Sequence, residues 1–247
     1  MRVVMNRDEQ RSRAPALSPQ WRELAGGTRA IWPTDPAGGG TWMGATSSGL
    51  VLCLVNLNVD PRPELPPGLI SRGQLIPRFV EATSAAQLLE SVRRTELAQF
   101  APFRLIVAQR PTEFDQSVWE CRWDRLHLTT TKHPRFPACF VSSGLGDAHV
   151  SPRLELFQQR LAVLPTPAMQ DRFHGHVWPG HEDVSVLMTR PDARTVSITT
   201  VEVRGDVKEP EVRMIYQPIP EREALDSQPL AVISPMSTVP TGLSVAR

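Results

Sequence analysis

Lysine is nearly missing from this 247-residue chain: Lys132 and Lys208 are the only two among 27 basic residues. The arginine excess has the look of GC-rich bacterial coding and carries no mechanism. Charge of one sign is also lacking. Lys+Arg 27 against Asp+Glu 26 leaves +1, which removes the electrostatic case for a nucleic-acid or membrane-surface binder. Cysteine is scarce: Cys53, Cys121 and Cys139 are an odd number, widely spaced, with no Cys-x-x-Cys pair. That argues against a disulfide framework or a structural zinc site and for a reducing, cytoplasmic setting. The first twenty residues hold no apolar signal core. No apolar run approaches the ~20 residues of a membrane span.

Proline is abundant, 24 residues beside 15 glycines, and it punctuates the chain throughout. Short strands are expected at 2–5, 41–45 and 50–57, the last a continuous apolar run suited to a strand covered on both faces. A polar connection is expected from about residue 10 to 27. Helical spacing follows at 72–82 and 84–97, the second behind the caps Thr83 and Ser84. Strands are expected at 103–108, 117–123, 126–131, 139–142, 184–188, 195–203 and 212–216. Ser151-Pro152 marks a helix start. One α+β domain over residues 1–217 is expected, with a loose, proline-rich tail at 218–247.

Several motifs have ordinary readings. Gly38-Gly39-Gly40-Thr41-Trp42-Met43-Gly44 lacks the ending of a phosphate loop and reads as a turn entering a strand. His174, His176 and His181 have metal-like spacing in a Gly/Pro-broken segment with no nearby cysteine, which favours a polar loop over a metal site. No Gly-x-Ser-x-Gly elbow exists. Asn6-Arg7-Asp8-Glu9 stands out because it follows an apolar strand directly. An arginine there can hold an anion, with Asp8 or Glu9 orienting it.

These four residues resemble the signature of the NRDE family, the transport and Golgi organisation protein 2-like proteins. Further blocks agree in order: Gly39-Gly40-Thr41-Trp42-Met43-Gly44, the strand from Gly49 to Asn56, Ser71-Arg72-Gly73-Gln74-Leu75, Ser143-Gly144-Leu145 to Pro152, and the run Arg190 to Ser197, which is similar to bacterial members. The resemblance covers about residues 1–204. It implies an α+β, N-terminal-nucleophile hydrolase-like αββα sandwich. In related hydrolases an N-terminal Cys attacks an amide, with its own amine as base. The resemblance then places Arg7 and Asp8 near such a Cys and Asn56 where an oxyanion donor is expected.

Family members open with Met-Cys roughly twenty residues before the signature, whereas this sequence opens with Met1-Arg2. As written it supplies no terminal nucleophile, and the expectation is a non-catalytic chain. Either the start lies further upstream or the nucleophile was lost. The former is favoured because a nucleophile strand lies inside a sheet, so an extended chain is expected to be the more stable.

Three functions follow. The first is binding or trafficking of a small apolar or anionic ligand such as haem, a role the resemblance implies. Asn6, Arg7, Asp8, Glu9, Thr41, Trp42 and Arg72 are then the candidate ligand-binding residues. Arg7 or Arg72 would pair carboxylates, and His174, His176, His181 and Met43 are unranked iron contacts. The second is an amidohydrolase acting on non-peptide C–N bonds, with its nucleophile upstream and Arg7, Asp8 and Asn56 in support. The third, an interaction scaffold, rests only on the proline-rich tail.

Overall fold

The computed structural model describes residues 1–58, 61, 63–110, 118–134, 136–205 and 209–221. Almost all of the expected tail lies outside these. Two antiparallel sheets face one another. One is a seven-stranded meander in sequence order, β2 (Leu17–Glu23), β3 (Arg29–Thr34), β4 (Met43–Thr46), β5 (Leu50–Asn56), β6 (Phe103–Gln109), β7 (Val118–Trp123) and β8 (Leu128–His133). The other has three strands in the order β1 (Arg2–Gln10), β9 (Ala193–Gly205), β10 (Pro210–Pro218). β1 pairs with β9 along its whole length, and its second edge pairs with no strand among the described residues.

Period-two alternation divides the buried side chains between two cores. Leu50, Leu52, Leu54, Phe103, Leu105, Val107 and Cys121 face outward from the large sheet. There they meet Leu75, Ile76 and Phe79 of α1 (Leu75–Phe79) and Leu88, Leu89 and Val92 of α2 (Ala85–Arg93). Ser84 caps α2 by accepting from the Gln87 amide. Val51, Cys53, Ile106 and Ala108 face the other way, into the space between the sheets with Val201, Val203 and Met43. A third cluster joins Phe157 of α3 (Ser151–Arg160) to Phe173 of α4 (Pro167–His174), with Val186 from the segment after α4. α4 packs on β1, so the layers run helix, sheet, sheet, helix. This is the expected α+β, αββα sandwich.

Several local expectations are corrected. The first strand continues through the polar signature to Gln10 instead of leaving the core at Met5. The expected connection at 10–27 contains β2, and β3 follows it. The 72–82 helix begins as a tight turn at Arg72–Gln74 and is helical only over Leu75–Phe79. Residues 139–142 and 184–188 form no ladder. Side chains hold them instead: Arg104 donates to the Val141 carbonyl at 2.9 Å, Asn6 to that of Val186 at 2.8 Å, and Arg153 to that of Val184 at 2.9 Å.

Candidate functional site

Three strands cannot cover seven. β10 lies across β2, β3 and β4, and beyond the open edge of β1 the inner face of β5, β6 and β7 bounds a cavity of about 1290 Å³. Its floor is apolar, from Cys53, Val55, Ile106, Ala108 and Val118, and Phe140 of the 136–145 segment closes one side. The signature strand, α3 and α4 complete the wall.

The signature serves both faces of β1. Arg7 points between the sheets, its guanidinium 4.5 Å over the Trp42 ring, with Glu9 at 3.3 Å and Asp35 at 3.8 Å. Arg13 donates to both Asp35 oxygens. Two arginines and two carboxylates thus cancel at this end. Burial pulls the Arg7 guanidinium below its usual value, against the opposing attraction of Glu9 and Asp35. Burial also opposes ionisation of Asp35, yet the Arg13 hydrogen bond and the Ala37 amide hold its carboxyl below the usual range. Trp42 is fixed by its indole N–H, which donates to Thr199 Oγ1 at 3.3 Å.

Asn6 and Asp8 point to the helical side. The Asn6 amide donates to the His174 and Val186 carbonyls at 3.0 and 2.8 Å, which turns its Oδ1 toward His174 Nδ1 at 2.8 Å. Nδ1 therefore carries the imidazole proton, and Nε2 keeps its lone pair. Burial, helped by Arg2, lowers the His174 pKa to about 4. A bulge between Arg7 and Asp8, opposite Ser197 and Thr195, sets the aim of Asp8. Its carboxylate accepts from Thr195 Oγ1 at 2.6 Å and lies 3.9 Å from Arg153. Asp8 faces the cavity, and desolvation raises its pKa against the pull of Arg153, Thr195 and Arg190.

Two of the glycine-containing blocks are one joint. A Cβ on Gly40 would lie 2.4 Å from the Gly73 carbonyl carbon, and one on Gly73 would lie 3.2 Å from the Thr41 nitrogen. The Thr41 amide donates to the Gly73 carbonyl at 2.9 Å and the Gln74 side chain to that of Gly38 at 2.7 Å. This crossing holds Arg72 at the cavity wall, where it donates to the Pro102 carbonyl at 2.9 Å and is depressed by desolvation.

The family model for Transport and Golgi organisation 2 matches residues 2–136, more than half of the chain. The chain belongs to the Transport and Golgi organisation 2 family. No curated protein matches it significantly. Among solved structures it is similar to penicillin V acylase from Agrobacterium tumefaciens, at 9% identity and TM-score 0.48, covering 87% of this chain and 81% of that one. It is also similar to a variant of conjugated bile acid hydrolase from Clostridium perfringens, at 11% identity and TM-score 0.40, covering 87% and 84%.

In this member of the Transport and Golgi organisation 2 family, the cavity brings together Asn6, Arg7, Asp8, Glu9, Thr41, Trp42, Asn56 and Arg72, all of which line it. Asn6 is spent on structure, and Thr41 turns its hydroxyl back to the Met43 carbonyl. Met43 is corrected as an iron contact, because it is fully buried between the sheets and away from the cavity. Of the three histidines only His174 reaches the cavity; His176 packs edge-on to Trp178 at 4.7 Å and His181 is exposed. Among the described residues no three His, Cys, Asp or Glu side chains are grouped as metal ligands, and no helix is long and apolar enough to cross a membrane. Sequence reasoning missed Asp35, Arg13, Arg153 and Arg190. Only Asp35 carried a local signal, an Asp-Pro step before glycines that suits an Asx turn, and the Ala37 amide donates to its Oδ1.

Proposed function

We propose that the cavity binds a small apolar molecule carrying an anionic group, with haem as the specific candidate, and that the protein carries this cargo without transforming it. The cavity itself supports the reading. Its volume exceeds the roughly 300–1,000 Å³ of ordinary small-molecule sites, its floor is apolar, and arginines stand at its walls. A flat ring system suits the floor made by Cys53, Ile106, Ala108 and Val118. His174 offers a neutral imidazole with Nε2 unprotonated, the state an axial ligand requires. Arg72 is better placed than Arg7 to meet an acid group. Arg7 already has Glu9, Asp35 and Trp42, whereas Arg72 forms no ion pair among the described residues.

The cavity thiols are not themselves poised as nucleophiles, since burial pushes both Cys53 and Cys139 up to about 12. Spectroscopic titration with haem tests the carrier reading. A saturable Soret shift is expected, lost in Ala108→Phe, which fills the floor, and weakened about tenfold in Arg72→Ala. A flat titration with wild type, or an unchanged one in Ala108→Phe, overturns it.

A further inference from the structure

The two faces of β1 differ in charge balance. Between the sheets, Arg7 and Arg13 are matched by Glu9 and Asp35. On the helical side two arginines, Arg153 and Arg190, converge on the single carboxylate of Asp8, and all three line the cavity. Arg153 is 6% exposed. Its Nε donates to the Val184 carbonyl at 2.9 Å, its Nη1 donates to that of Ser142 at 3.4 Å and faces Asp8 at 3.9 Å, and its Nη2 is buried with no partner among the described residues. A buried guanidinium N–H without an acceptor costs free energy unless something completes it. Arg190 is held nearby, donating from Nη2 to Ser143 Oγ at 2.9 Å and from Nε to the Asp183 carbonyl. The Ser143 amide in turn donates to Asp147 Oδ1 at 3.0 Å, so the segment that positions Arg190 is pinned from both sides.

We infer that Arg153 and Arg190 form an anion subsite on the helical side of β1, which takes the carboxylate of the apolar ligand proposed above. The inference rests on the cavity being a ligand site; it puts a single acid group at Arg153 and Arg190 and leaves Arg72 to a second, haem having two carboxylates. One unit of surplus positive charge attracts a monoanion, and the unmatched Nη2 supplies a directed donor. Asp8 sets the size of that surplus. It approaches Arg153 Nη1 at 3.9 Å, and Nη2 is the nitrogen left without an acceptor among the described residues.

Fluorescence titration with 1-pyrenebutyrate and neutral 1-pyrenebutanol, which share the ring system, tests the subsite. Wild type is expected to prefer the acid by about tenfold or more, as for a charge-assisted hydrogen bond. Arg153→Met is expected to abolish the preference while keeping the alcohol's affinity. Equal affinities in wild type, or a preference that survives Arg153→Met, overturn the subsite and leave the cavity reading standing. Failure of wild type to bind either probe sinks both. If Arg153→Met does not fold, Arg190→Gln carries the test, because Arg190 is less buried. It should lower the preference several-fold, and an unchanged preference in that variant refutes the inference.

Discussion

Replacing Gly40 by alanine adds one carbon at a place where two backbones cross. That carbon would lie 2.4, 2.6 and 2.7 Å from the carbonyl carbon, carbonyl oxygen and Cα of Gly73. Favourable carbon contacts lie near ~3.5–4.0 Å, so the chains must separate by about 1 Å. Neither is free to move: the Thr41 N–H to Gly73 carbonyl bond and the Gln74 Nε2–H to Gly38 carbonyl bond span the crossing at 2.9 and 2.7 Å. Overpacking of about 1–3 kcal/mol plus about 1 kcal/mol for a weakened hydrogen bond gives a loss near 3 kcal/mol. Gly27 is the control. It has φ +79° and nothing within 4 Å, so alanine there pays only the left-handed backbone penalty of about 1–2 kcal/mol. Gly73→Ala, with nearest contacts at 3.2 and 3.3 Å, falls between or near the control. Urea unfolding followed by tryptophan fluorescence reads all three. A Gly40→Ala midpoint no lower than that of Gly27→Ala refutes the idea that the two motif blocks are one steric joint.

The Asn6–His174 pair makes stability depend on pH. The folded pKa of about 4 lies below the ordinary 6.5, so the native state binds fewer protons than the unfolded one. This contribution is whole above pH 6.5 and drains away as pH falls toward 4, by on the order of 3 kcal/mol. Subtracting the pH profile of His174→Gln from that of wild type isolates it, and parallel profiles across that window remove the claim. Asn6→Leu takes the donors from two carbonyls and should cost about 2 kcal/mol or more in a denaturant melt; a loss of a few tenths shows that water replaces them. The thiols should resist Ellman's reagent at pH 8 until the protein unfolds, since burial holds Cys53 and Cys139 near 12 and Cys121 at about 11. Rapid native labelling of Cys139 contradicts that.

What the sequence shows of this fold depends on how local each cause is. The continuous apolar runs of β5 and β6 and the periodic apolar face of α2 carry their own evidence. β2 and β3 do not, because Pro19 and Pro33 interrupt them. β2 tolerates Pro19 as an edge strand with a register shift between Leu17 and Gln20. The β3–β4 pairing covers only Ala30 and Ile31, which leaves Pro33 outside that ladder. The signature reads as lying beyond the first strand because the groups that let a polar stretch be a strand lie far along the chain. Asp35 balances Arg7, while Thr195 and Arg153 receive Asp8. Nothing near Arg153 advertises its burial; its neighbours read only as a helix start.

The alternation of the signature along the first strand has a consequence for sequence length. Side chains along a strand alternate sides, so removing one residue from β1 ahead of Asn6 while keeping the original pairing of Arg2 with Glu202 would exchange the two sides. Asn6 and Asp8 would then turn toward Trp42 and Asp35, and Arg7 toward Arg153 and Arg190, setting like charges against each other. The strand works as a partition wall whose four signature residues are divided between two rooms, and an insertion or deletion there should be far less tolerable than a substitution.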